Sequence, residues 1–314
     1  MLFFGRSFPV TKVIIGTRGS SLALAQSEEI RRHLEKLFPK VTFTLKQIRT
    51  GGDKSDVVLP PHAATVGFFT KELEEALLAK EIDIAVHSLK DLPTKSPETL
   101  EIAAITVREN PQDGLVTDDG RSLSALRPGA RIGTGSERRR TQLLHWNRSF
   151  EVVGIRGNLD TRLRKLKEGN FDAIVLALAG LKRYGADPKK IWPIPFEVML
   201  PAPGQGALAV QIRRGEERVK DLVSRLEDPE SRRSVTAERA FLSRLGGGCQ
   251  LPLGALAVVK EGSEILLKGV LMSGDGRREI RTELRAAGEP SEVGEKLGEK
   301  FFEMGAKDLL NEKG

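Results

Sequence analysis

Ile15-Gly16-Thr17-Arg18-Gly19-Ser20 and, later in the chain, Ile132-Gly133-Thr134-Gly135-Ser136 share one pattern. Each ends a short β-rich run and opens an amphipathic one. Val13-Ile14-Ile15 precedes the helical run 21–38, in which Leu22, Ala25, Ile30, Leu34 and Leu37 fall roughly on one face. Arg131-Ile132-Gly133 precedes the helical run 136–146. Two strand–turn–helix units of one design predict an α/β fold built from two βα halves. Each turn would bring backbone N–H groups and hydroxyls to a helix N-terminus, where anions are stabilised. The plainer reading of each copy is a tight turn with a Ser or Thr cap. Two copies favour a shared cleft, because ligands of open sheets lie beyond the carboxyl ends of the strands.

The rhythm extends outward from both turns. Residues 41–48 alternate like a strand, 70–80 read as a helix and 82–86 as a strand. In the second half 152–155 reads as a strand, 158–168 as a helix with Asn158 at its N-cap, and 172–177 as a buried strand. A largely parallel sheet is expected. Pro193, Pro195, Pro201 and Pro203 break the pattern before Gly204-Gln205-Gly206. The run 207–212 then reads as a strand returning to the first sheet. From about 225 the character changes: a helix over 229–245, strands at 255–259, 265–270 and 279–284, and one last helix over 291–310. The expected domains are 1–106 with about 207–224, then 107–206, then a small α+β domain over 225–314.

A chain of 314 residues is too long for one core. Its longest apolar run, Ala173-Ile174-Val175-Leu176-Ala177-Leu178-Ala179, is too short to span a bilayer. No signal peptide reads from the first ten residues, and a lone cysteine without one suggests the cytoplasm. The net charge of +7 admits nucleic acid, an anionic membrane or an acidic small molecule as partner. Aromatic content of 5% is poor material for base stacking, which disfavours nucleic acid. His33, His62 and His145 have no metal-ligand spacing, and no metal is expected.

The only cysteine lies in Gly246-Gly247-Gly248-Cys249-Gln250. It cannot form an internal disulfide. A core residue, a nucleophile and a covalent attachment point all remain open. Arg138-Arg139-Arg140 opens a helix, where the macrodipole opposes cations, so these side chains face solvent or meet anions. Arg156 follows a β-rich run, Arg162 lies one turn into the next helix, and Arg183 ends the following unit. Converging guanidiniums call for carboxylates or phosphates, which their planar forks bind in pairs. Ala85-Val86-His87-Ser88-Leu89-Lys90-Asp91-Leu92-Pro93 ends another strand. A carboxylate at Asp91, held ionised among cations, could steady a developing positive charge and move protons. His87 competes for that role, although a lone histidine at a strand end is more often structural.

Those stretches, with Thr17-Arg18-Gly19-Ser20, Gly135-Ser136-Glu137-Arg138-Arg139, Arg156-Gly157-Asn158 and Leu200-Pro201-Ala202-Pro203-Gly204-Gln205-Gly206, resemble the porphobilinogen deaminase (hydroxymethylbilane synthase) family, in order and almost without gaps from about residue 11 onward. The resemblance implies two periplasmic-binding-protein-like βα domains with a cleft between them, plus a small C-terminal α+β domain. It implies a monomer that joins four porphobilinogens into 1-hydroxymethylbilane with release of ammonia. The implied cofactor is a dipyrromethane held by a thioether to Cys249. By the same resemblance Ser88, Lys90, Asp91, Thr134, Ser136, Arg138 and Arg139 hold that cofactor. Arg18, Ser20, Arg156, Arg162 and Arg183 line the substrate position, and Asp91 is the catalytic carboxylate. Each pyrrole carries an acetate and a propionate, which would account for the arginines. Two positions depart from the family pattern: Val66 replaces a loop lysine, and Arg140 extends the arginine pair. The rival readings are a solute-binding module, a nucleic-acid-binding protein, and a hydrolase using His87 with Cys249 or Ser88.

Overall fold

The computed structural model describes residues 12–49, 70–247, 251–260 and 264–311. Three sheets organise them, of five, five and three strands. The chain opens with β1 (Lys12–Thr17), α1 (Ser21–Leu37) and β2 (Thr42–Gln47), followed by α2 (Lys71–Leu78), β3 (Ile84–Ser88) and β4 (Leu100–Ile105). It then crosses to β5 (Asp113–Val116), β6 (Arg131–Gly133), α3 (Glu137–Trp146), β7 (Glu151–Val153), α4 (Leu159–Lys167), β8 (Ala173–Ala177), α5 (Leu178–Tyr184) and β9 (Ile191–Pro193). It returns through β10 (Leu208–Arg213) and α6 (Glu217–Val223). The last part comprises α7 (Pro229–Arg244), β11 (Leu253–Val259), β12 (Ile265–Met272), β13 (Glu279–Ala286), α8 (Pro290–Glu303) and α9 (Ala306–Asn311).

The first sheet has the order β2-β1-β3-β10-β4 and the second the order β7-β6-β8-β5-β9. Both start with three parallel strands, as the βα rhythm requires. The strands that follow a crossing between the sheets, β5 and β10, run antiparallel to both neighbours. The expected largely parallel sheets are therefore mixed. Strands β4, β5 and β9 are absent from the sequence reading. Its final helix is two, interrupted at Gly305 with φ +92, a backbone that favours glycine.

The two crossings between the sheets are stitched together. Glu109 N donates to Gly206 O at 3.3 Å and Thr106 N to Leu208 O at 3.1 Å. Gly206 has φ +96, and a Cβ there would lie 2.3 Å from Glu109 O, so only glycine fits so close an approach. The third sheet packs its own core, centred on Phe241, Leu267, Leu297 and Phe301, under α7 and α8. Helix α7 ties this unit to the crossings. Its fully buried Glu238 accepts from Arg108 Nη1 at 2.7 Å and Nη2 at 3.0 Å, from Gly204 N at 2.8 Å and from Ala257 N at 2.8 Å. Such a pair is costly to break, because the surviving charge stays buried. Across the other face, Ser21 Oγ at the start of α1 donates to Asp160 Oδ2 in α4 at 2.8 Å.

Candidate active site

Strand β3 is buried and ends at Ser88, where a single 3₁₀ turn over Leu89–Asp91 follows. Leu92 is extended and Pro93 cannot continue a helix, so the chain turns out at once. Leu89 and Leu92 bury themselves against Ile105, Ala207, Ala209 and Val235. With both leucines turned inward, Asp91 between them is exposed. Half-buried Lys90 donates from Nζ to Gln205 Oε1 at 3.3 Å. Fully buried Gln205 in turn donates from Nε2 to Asp113 Oδ1 at 3.0 Å and to Pro111 O at 2.7 Å.

Asp113, at the start of β5, is the anion at the centre of the cluster. Its carboxylate accepts from Arg138 Nη1 at 2.7 Å and from Arg139 Nη2 at 2.7 Å and Nε at 3.0 Å. Arg138 Nη1 also donates to Leu200 O at 2.7 Å, and Arg139 Nη1 to Val175 O at 3.0 Å. Both arginines are buried. Burial works against ionising Asp113, but Arg138, Arg139 and Lys90 outweigh it and hold the carboxyl well below the usual carboxylate range. The arginines thus meet an anion supplied by the protein, which the sequence reading missed. The third of the run, Arg140, turns away to Glu137 and to Gly274 O of the C-terminal unit.

The cluster reaches Lys90 and Arg162 as well. Burial pushes Lys90 down to about 8; Asp91 and Asp113 resist, while Arg139 and Arg138 add to the fall. Arg162 is pushed down to about 10 by burial and by Arg139, against the pull of Asp91. Its Nε donates to Gly157 O at 2.8 Å, which ties α4 to the turn before it. Lys90, Asp91, Arg138, Arg139 and Arg162 therefore share one electrostatic neighbourhood. Asn158 caps α4 as expected, accepting from Thr161 N at 3.0 Å.

The two βα turns differ in detail. Ser20 caps α1 by accepting from Ala23 N at 3.3 Å. Thr134 Oγ1 accepts from Ser136 N at 3.2 Å, and the Ser136 side chain makes no cap bond to α3. Arg18, beyond β1, adds its charge to the groups that depress His87. Exposed Arg156 lies beyond the end of β7. Arg183 stands apart from the cluster. Its Nε donates to Glu29 Oε2 at 2.9 Å and its Nη1 to Gly206 O at 3.3 Å, which joins α5 to α1 and to the return crossing. Ser88 Oγ accepts from Gln26 Nε2 at 2.8 Å. His87 is buried against Gln211 Oε1 at 3.0 Å, and burial pushes it down to about 4, so it is neutral near pH 7. With His87 held by Gln211 and Ser88 by Gln26, the two form no nucleophile–base pair, and the Ser88 form of the hydrolase reading loses its geometry.

Cys249 and Val66 lie outside the described residues. Gly247 lies two positions before the cysteine. A Cβ on it would lie 3.3 Å from Thr94 Oγ1, so the cysteine segment departs from beside the strap that follows Asp91.

A family model described as "Porphobilinogen deaminase, dipyromethane cofactor binding domain" matches residues 13–221, and the "Porphobilinogen deaminase, C-terminal domain" model matches residues 233–303. The chain belongs to the porphobilinogen deaminase family. It is 45% identical over 300 residues to the porphobilinogen deaminase of Desulforudis audaxviator strain MP104C, covering 95% of this chain and 97% of that one. Against the porphobilinogen deaminase of Pelotomaculum thermopropionicum it is again 45% identical over 300 residues, covering 95% and 96%. Among solved structures it is similar to the methionine-binding protein MetQ, at 14% identity and a TM-score of 0.43, over 70% of this chain and 92% of that one. The first family model brings the dipyrromethane cofactor with it. Gln205 and Asp113 are the members of the cluster that the sequence reading lacked. The Gly-Gln-Gly run in a proline-rich loop signalled the first, and nothing local signalled the second.

Proposed function

We infer that this chain joins porphobilinogens head to tail into the linear tetrapyrrole 1-hydroxymethylbilane, releasing ammonia at each addition. The observation that carries the reading is the cluster itself: Lys90, Arg138, Arg139 and Arg162 surround two carboxylates, Asp91 and Asp113, so cationic charge is in excess. Such a donor set fits pyrroles bearing acetate and propionate groups. A dipyrromethane joined by a thioether to Cys249, when bound, supplies the pyrrole end to which each new ring is attached.

The chain's own residues do the rest. Lys90, Arg138, Arg139, Ser88, Thr134 and Ser136 would hold the cofactor's acidic side chains. Arg18, Ser20, Arg156 and Arg162 would present the incoming porphobilinogen, with Arg183 acting from beside the return crossing. The exposed Asp91 carboxylate would accept hydrogen bonds from pyrrole N–H groups and stabilise positive charge as ammonia departs. It would then take up the proton lost on ring coupling. His87 is neutral and committed to Gln211, which leaves Asp91 the proton carrier. We read residues 1–106 with about 207–224, 107–206 and 225–314 as the three domains. A monomer in the cytoplasm, without nucleic acid, completes the proposal.

Purified protein incubated with porphobilinogen tests it. Bilane formation, a protein mass above that of the polypeptide, and loss of both in Cys249→Ser are expected. A bare polypeptide mass with no pyrrole product would refute the reading.

A further inference from the structure

The Leu89–Asp91 turn has a second face. No helix continues from it, because Leu92 is extended, its N–H donates back to Leu89 O at 3.2 Å, and Pro93 has no N–H to offer. Arg239 of α7 reaches carbonyls on either side of Asp91. Its Nη1 donates to Leu92 O at 3.0 Å and to Leu89 O at 3.3 Å, and its Nη2 donates to Pro93 O. One planar guanidinium thus gathers the carbonyls on both sides of Asp91, a task suited to its rigid fork of N–H donors. Its neighbour Glu238 anchors α7 to the crossings through Arg108. The same helix ends at Arg244, three residues before Gly247, which lies beside Thr94, and the cysteine follows at position 249.

We propose that Arg239 is a positioning residue, which fixes the Asp91 carboxylate relative to the helix that leads into Cys249. This rests on the functional reading above. Without Arg239 the turn would keep its leucine anchors, but the backbone on both sides of Asp91 would lose the donors that set its direction. A carboxylate that must meet each reacting ring at one place is sensitive to such a shift. Misplacement by about 1 Å can cost about 100-fold in rate. The effect belongs in kcat rather than KM, because the cations that grip acetate and propionate groups are not touched.

Steady-state kinetics of cofactor-loaded Arg239→Ala test this. We expect kcat to fall roughly 10- to 100-fold with KM within about 2-fold. A cavity of about 520 Å³, lined by Arg239, Leu89 and Thr94, gives small cations a route to the vacated position. Added guanidinium ion should therefore restore part of the lost kcat in Arg239→Ala and none in Asp91→Asn. A merely structural role would not produce that rescue. Unchanged kcat, a KM rise that accounts for the whole loss, or no rescue would each overturn the proposal. Where Arg239→Ala does not fold, Arg239→Gln keeps length and two N–H donors. It should show an intermediate kcat, and a wild-type kcat in it would overturn the proposal equally. Wild-type protein that forms no bilane sinks the functional reading and this one together; active wild type with an unaffected variant sinks this one alone.

Discussion

Replacing Asp113 by Asn removes an anion that both buried arginines share. Asp113 is fully buried, and the side chains of Arg138 and Arg139 are 5% and 7% exposed. The variant keeps the shape and one accepting oxygen, so either the two N–H bonds from Arg139 or the single one from Arg138 survives. The other guanidinium is left without its carboxylate, away from water. Breaking a buried pair in this way costs about 3–5 kcal/mol, and the retained oxygen argues for the lower end. At roughly 2–4 °C per kcal/mol, the melting temperature should fall by about 6–12 °C. Calorimetry of matched samples reads this directly. Arg139→Gln added to Asp113→Asn should cost less than Arg139→Gln alone, by the coupling expected of contacting charges, about 0.5–3 kcal/mol.

The pH dependence carries a sign. Asp113 is depressed from its ordinary value of 3.8, so its contribution is complete above about pH 4 and is lost only as pH falls further. The gap between wild type and variant should narrow in acid. A fall in melting temperature below about 2 °C, or strict additivity with Arg139→Gln, would refute the view that this carboxylate holds the arginines in place.

Two further tests address the site. Lys90 is pushed down to about 8, so it is charged below that pH and loses its charge above it. The grip of Lys90 on the cofactor's acidic side chains should therefore weaken as pH rises through 8, seen as a smaller fraction of protein loaded with cofactor, and Lys90→Arg should abolish that limb. By linkage, protein without bound ligand should also gain stability between pH 8 and 10.5, where the unfolded chain binds the proton that folded Lys90 has shed. His87→Asn should retain kcat within about 10-fold, because a proton-transfer residue would cost about 10²- to 10⁴-fold. A larger loss without a matching fall in stability would return His87 to the chemistry.

The paired turns at Gly16 to Ser20 and Gly133 to Ser136 made the two βα halves readable, because glycine and capping residues mark local geometry that the chain sets by itself. Asn158 was readable for the same reason. Strand β10 was readable as a return to the first sheet, but its antiparallel direction was not, and β5 was missed altogether, since both follow from the chain passing between the sheets rather than from any pattern within them. Nor was the fate of the arginines. Arg138, Arg139 and Arg140 are neighbours of one composition, yet two turn inward to Asp113 and the third joins Gly274. Residue 113 is distant in sequence and carries no local motif. Arg183 likewise looked like its companions, but a partner in α1 claims it.

Placing a carboxylate inside a cationic site looks wasteful for a protein that must bind anions. The burial of the arginines shows why it is not. Bare guanidiniums packed side by side would repel and splay, and each would adopt many rotamers before a ligand arrived. Asp113 holds two of them in fixed orientation, and Gln205 extends the same network to Lys90. The ordering is thus complete before a ligand binds, and less of its binding energy is lost to freezing side chains. Asp113 takes part of the positive charge away, but Lys90, Arg139 and Arg162 still act together on the space around Asp91. A strongly cationic site without the internal anion would bind acidic rings more tightly and release the product more slowly. The arrangement found here sets position first and strength second, which is the balance required of a site that must move its acidic cargo along as the chain lengthens.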